Sequence, residues 1–133
     1  MKKAEEADLF WLAVNAYHEA RGEGYGGIKA VCHVVLNRAA KRKQAVKDVI
    51  FAKSQFSWTI QKPAPKILDK DAFYECQRAA EDAFLEHVNG DDLHGADHYY
   101  AFSGPNKIKE PYWVKAVKMT EVTRIRHHVF YRS

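Results

Sequence analysis

The sequence predicts an α+β domain, mainly helical with a small antiparallel β element, and three observations carry that prediction. Its 133 residues, 47% of them apolar, suit one domain over 1–133 that buries about two thirds of the surface its unfolded chain exposes. Before residue 90, three segments repeat apolar residues at three- and four-residue steps, the period of an amphipathic helix. After residue 95 the texture changes to short stretches rich in aromatic and β-branched residues, which suit strands.

The first helix is expected from Asp8 to Ala20, with Leu9, Phe10, Ala13, Ala16, Tyr17 and Ala20 on its apolar side, Asp8 as N-cap and Gly22 as its stop. After Gly24-Tyr25-Gly26-Gly27, the residues Ile28, Val31, Cys32, Val35, Leu36 and Ala39 mark a second helix that ends in the basic run Lys41-Arg42-Lys43. Residues 48–58 read as a short helix followed by a loop, and Pro63 and Pro65 preclude regular structure in 61–69. A third helix runs from Asp69 or Asp71 to Val88, closed by Asn89-Gly90, with Phe73, Cys76, Ala80, Ala83, Phe84 and Val88 on one face. Residues 96–104 and 124–133 are two expected strands, and Pro111 opens a helical turn between them. There are no repeats and no low-complexity tract.

A net charge of +4 favours an anionic partner, whether nucleic acid, membrane surface or bacterial wall polymer. Cys32 and Cys76 fall on apolar helix faces and read as core thiols. Lys2 and Lys3 are followed at once by Glu5, Glu6 and Asp8, so no export signal forms, and no stretch approaches transmembrane length.

The stretch "NAYHEARGEGYGG" (15–27) holds the candidate chemistry. At about 100° per residue, Glu19 lies beside Leu12 and Ala16 at the edge of the apolar stripe. Partial burial favours the neutral acid, and a second carboxylate at Glu23 pushes the same way, so Glu19 can stay protonated near neutral pH as a general acid must. Arg21 opposes this but points elsewhere on a continuous helix, about 200° from Glu19. The plain alternative is a charged helix end in water. Two features weigh against it: acidic residues here oppose the helix dipole, and the glycines leave the groove beside Glu19 open to a polymer backbone.

The chain resembles the SleB-type cell wall hydrolase family. The resemblance rests on "EARGEGYGGIKAVCHVVLNRA" (19–39), "QFSW" (55–58), "GADHYY" (95–100), "PYWVK" (111–115) and "HHVFY" (127–131), in the family's order and over most of the chain. Asp97 and His127 stand where the family usually has Thr and Asn. The resemblance implies a lysozyme-like fold and cleavage of the β-1,4 bond between N-acetylmuramic acid and N-acetylglucosamine in peptidoglycan, with Glu19 as the acid. It also implies lytic transglycosylation, in which the muramoyl 6-hydroxyl attacks internally and one acid/base residue suffices. Hydrolysis, the competing chemistry, needs a second carboxylate, for which Glu23, Asp97 and Glu110 are candidates.

Gln55, Ser57 and Trp58 are expected to line the sugar groove through stacking and amide or hydroxyl contacts, although Trp58 taken alone reads as core. In "HYY", His98 and Tyr100 share one strand face and Tyr99 takes the other; Tyr99 and Tyr100 are the favoured substrate contacts, with His98 and Glu23 as further ones. His94 and His98 have a metal-like spacing, but a loop-to-strand transition does not bring them together, and His127-His128 read as strand residues, one inward and one outward. No metal and no cofactor are expected. The run 41–47 is the best argument for a nucleic-acid-binding module, and a non-catalytic wall-binding domain is a third class; the same charge suits anionic wall polymers, so no nucleic acid is expected. The expected protein is a monomer that acts on the bacterial wall without inserting into a membrane. It is either a phage-type lysin held in the host cytoplasm until release or the catalytic part of a longer exported chain.

Overall fold

A computed structural model describes residues 3–53 and 55–133. Lys2, half of the N-terminal basic pair, lies outside the described residues. Helix α1 spans Lys3–Ala20, α2 Gly24–Arg42, α3 Val46–Phe51, α4 Lys70–Val88 and α5 Trp113–Ala116; the strands are β1 His98–Ala101, β2 Thr120–Ile125 and β3 His128–Arg132.

Helix α2 is the centre of the molecule. Residues Ile28, Val31, Val34 and Val35 are fully buried, and even Asn37 and Arg38 are nearly so. A helix that is apolar around most of its circumference must be covered on several sides. Here α1, α3 and α4 all pack on it. Each such Val or Ile contributes about 1.5–3 kcal/mol by leaving water. Helix α4 begins where Asp69 accepts a hydrogen bond from the Ala72 N–H at 3.0 Å, as an N-cap does. The irregular segment before it is pinned to α1 by the Leu68 and Asp69 N–H groups, which donate to the Tyr17 hydroxyl.

The sheet is antiparallel, in the order β1-β3-β2, with Tyr99 opposite Phe130 and Tyr100 opposite Val129. Phe130 on the central strand is fully buried and joins the sheet to the helical core.

Four local expectations change. Asp8 is not the N-cap of α1, because the helix already runs through Glu5 and Glu6, whose charges favour its first turn. Phe10 and Val88 are exposed rather than core-facing. The sheet has a third strand, β2, whose polar alternation hides it from an apolar pattern search. The segment 124–133 is therefore not one strand: Arg126 (φ 53°) and His127 form the turn between β2 and β3, and only His128 sits in a strand, buried. Gly22 lines the cavity beside Glu19 with open space around it, and two other glycines of the cluster have a further use. Gly24 (φ 77°) starts α2, and a Cβ on Gly27 would lie 2.8 Å from the Glu23 Cβ, so the bare glycine leaves room for that side chain.

Candidate active site

Glu19 occupies the last turn of α1 and faces β1, where the Tyr99 hydroxyl donates to its Oε1 at 2.7 Å. Tyr99 is held by its neighbours on β3, with the His128 ring edge-on at 5.0 Å and the Phe130 ring at 5.6 Å. Burial pushes the Glu19 carboxyl above the usual carboxylate range; the Tyr99 hydrogen bond and the Arg38 guanidinium act in the opposite direction and are weaker. Burial, reinforced by the Glu19 charge, raises the Tyr99 phenol well above its ordinary value, so it remains a proton-bearing donor. Arg38 is buried beneath Phe56, with Nε donating to the Asp97 carbonyl at 2.7 Å and Nη1 to Gln55 Oε1 at 3.1 Å.

Two cavities meet at Glu19, of about 280 Å³ and about 490 Å³. Both are lined by His18, Glu19, Ala101, Asn106 and His128, so they form one cleft with Glu19 at its middle. The first half is walled by Arg21, Gly22, Glu23, Ser103, Pro105 and His127, and is rich in charge. The second is walled by Arg38, Gln55, Phe56, Ser57, Tyr99, Tyr100 and Ile108, and its free polar groups are amide and hydroxyl.

Glu23 lies at the corner between α1 and α2, and both of its oxygens are engaged. Oε1 accepts from the His127 backbone N–H at 3.0 Å, and Oε2 pairs with His127 Nδ1 at 2.8 Å. The buried His128 ring stands 3.4 Å from Oε1 through Nδ1; burial lowers its pKa against the pull of the Glu23 charge.

Of the residues singled out from sequence, Glu19, Glu23, Gln55, Ser57, Tyr99 and Tyr100 line this cleft. Two do not. Trp58 is 6% exposed, its indole N–H donates to Asn15 Oδ1 at 2.8 Å, and its ring lies 4.6 Å from His18, so it backs the cleft wall from the core. His98 points to the other face of β1, as strand alternation requires, where it meets the Trp113 ring at 5.0 Å and the Asp97 carboxylate at 2.9 Å. The Tyr100 ring packs on that same face, 6.1 Å from Trp113 and stacked on Tyr131, although the residue also lines the second cavity. The three candidates for a second carboxylate fare poorly on geometry. Glu23 is tied to His127. Asp97 is tied to His98, Lys41 and both the N–H and hydroxyl of Ser133, and is held down at about 2 despite its burial. Glu110 is exposed and outside the cleft wall. Among the described residues, no group of three or more His, Cys, Asp or Glu side chains converges to hold a metal ion. Cys32 and Cys76 are buried free thiols.

Sequence reasoning missed His18, Arg38, Asn106 and His128 as cleft residues. For Arg38 the signal was available, since it follows Val31 by seven residues and Val35 by three and so falls on the buried stripe of α2. A cation in that position needs an acceptor or an anion nearby. Asn106 carries no comparable signal, because only the fold of the 102–107 loop brings it to Glu19.

Residues 22–131 match the family described as Cell Wall Hydrolase. Spore cortex-lytic enzymes of Oceanobacillus iheyensis and Bacillus cereus are similar, with 30% and 29% identity over 125 residues. In each case 92% of this chain is covered, but the chain spans only 41% and 43% of the length of these relatives. Among solved structures, the catalytic domain of the germination-specific lytic transglycosylase SleB from Bacillus anthracis matches with a TM-score of 0.70 and 24% identity, over 99% of this chain and 97% of that one. The catalytic domain of the Bacillus cereus SleB protein matches with a TM-score of 0.70 and 25% identity, over 96% and 91%. The mainly helical, lysozyme-like fold expected from the sequence is the one these domains share. With the family match running from the α1–α2 corner to the end of β3, the chain belongs to the Cell Wall Hydrolase family.

Proposed function

We propose that this domain cleaves peptidoglycan glycan strands at the β-1,4 bond between N-acetylmuramic acid and N-acetylglucosamine, by lytic transglycosylation, with Glu19 as acid and then base. One observation carries the reading: of the two carboxyls that line the cleft, Glu19 has an oxygen left free for chemistry and burial raises its pKa, while Glu23 has both oxygens occupied. Protonated Glu19 donates its hydrogen to the glycosidic oxygen as that bond breaks. The muramoyl 6-hydroxyl attacks the anomeric carbon, and the Glu19 carboxylate takes the hydroxyl proton, which closes a 1,6-anhydro ring and regenerates the acid. The Tyr99 hydroxyl and the Arg38 charge stabilise the carboxylate that forms between the two steps.

Gln55 and Ser57 on one side of Glu19, and Ser103 and Asn106 on the other, are proposed to bond the N-acetyl and hydroxyl groups of the glycan. The domain works as a monomer on the bacterial wall, and none of its helices among the described residues is long and apolar enough to cross a membrane. Mass spectrometry of digests tests the proposal. Terminal 1,6-anhydromuramoyl products that vanish in Glu19→Gln are expected. Reducing ends alone would mean hydrolysis, and the absence of any cleavage would mean a wall-binding module.

A further inference from the structure

We propose that Glu23 is a positioning residue which, through His127, fixes the wall of the charged half of the cleft and so governs how tightly glycan is held there. The inference rests on the glycan-cleaving reading above and adds a role for a carboxylate that the chemistry does not use.

Glu23 grips the β2–β3 turn at two points of one residue, the His127 N–H at 3.0 Å and its Nδ1 at 2.8 Å. The Glu23 side chain is only 11% exposed, whereas that of His127 is 35% exposed, so the contact is shielded on its carboxylate side and its hold comes from two hydrogen bonds to one residue more than from charge. His127 in turn carries the 102–107 loop. Its carbonyl accepts from the Phe102 N–H at 2.9 Å, and its ring lies flat against Gly104, where a Cβ would come within 2.6 Å of Cδ2. Gly104 has φ 79°, a conformation that glycine adopts without strain. The loop then presents Ser103, Pro105 and Asn106 to the cleft. Glu23, His127 and Gly104 therefore form a continuous support running from the α1–α2 corner to a wall that belongs to neither helix. Gly27 completes it from beneath by leaving space for the Glu23 side chain.

A group that shapes a binding wall changes KM, whereas one that takes part in bond breaking changes kcat. The test is steady-state kinetics on soluble glycan strands of defined length for Glu23→Gln, His127→Ala, His127→Asn and Gly104→Ala, each checked for native circular dichroism. Glu23→Gln, His127→Ala and Gly104→Ala are expected to lose about tenfold in kcat/KM, mainly through KM. His127→Asn, which keeps a side-chain donor for Glu23, recovers most of that loss. Gly104→Ala perturbs the support from its far end with Glu23 intact, so it answers the question even if Glu23→Gln folds poorly. A loss carried mainly by kcat, or no loss in these three variants, overturns the proposal. Failure of the transglycosylation reading would show separately, as reducing-end products from the wild-type enzyme, and would leave the KM pattern unaffected.

Discussion

Glu19 and Asp97 lie near the same short strand, are both largely withdrawn from water, and titrate in opposite directions. Asp97, just before β1, receives hydrogen bonds from the Ser133 N–H and hydroxyl, from Lys41 and from His98, and these hold it at about 2 even though burial raises it. Glu19, across from Tyr99 of β1, receives one, and burial wins. Arg38 lies between them, donating to the Asp97 backbone carbonyl while its charge also acts on Glu19. The number of donors, more than depth of burial, separates a structural carboxylate from one able to carry a proton.

Breaking the comparison at its functional end gives the largest effect. Glu19→Gln, which keeps an acceptor for Tyr99 but cannot give up a proton, should lower the rate of glycan cleavage about a thousandfold, measured as turbidity loss of permeabilised cells. At the structural end, Asp97→Asn removes the charge from a carboxylate with four donors. It should cost about 2 kcal/mol of stability in urea denaturation, with Glu19 chemistry retained in the folded fraction. Tyr99→Phe leaves Glu19 without its one donor. The rate should fall about tenfold, and since that hydrogen bond favours the ionised form, the alkaline limb of the pH-rate profile should move to higher pH.

The smallest effect concerns stability against pH, where the two carboxyls have opposite signs. Asp97, depressed in the fold, contributes stability that is present above its ordinary value of 3.8 and is lost as pH falls through about 2. Glu19, raised in the fold, does the reverse: stability declines as pH climbs from the ordinary carboxyl range through its raised value. Thermal melts should therefore show Glu19→Gln more stable than wild type at neutral pH, with the gain disappearing in acid.

Much of this contrast was legible in the sequence on the Glu19 side and little on the Asp97 side. Glu19 borders an apolar stripe that helical spacing exposes directly, and α2 and α4 follow from the same periodicity. Asp97 drew attention as a departure from the family pattern and as a candidate second carboxylate, not as a structural one, because its donors Lys41 and Ser133 are far from it in sequence and meet it only when β3 returns to the end of α2. The same limit explains β2, a strand of mixed exposure without an apolar rhythm. Trp58 is the reverse case: taken alone it reads as core, which its 6% exposure bears out, and only the resemblance placed it in the groove. Glu23 shows the limit most clearly: "EARGE" places two acids one turn apart, but only the hairpin turn at His127 decides that the second is occupied.

Carboxyl carbon NMR titration of Glu19 and Asp97 in the wild-type protein, assigned with Glu19→Gln and Asp97→Asn, measures whether the two groups move in opposite directions. A Glu19 midpoint above the ordinary glutamate value and an Asp97 midpoint near 2 are expected. A Glu19 that titrates at or below the ordinary value would contradict its role as the acid, because such a group would have no proton left to give at neutral pH.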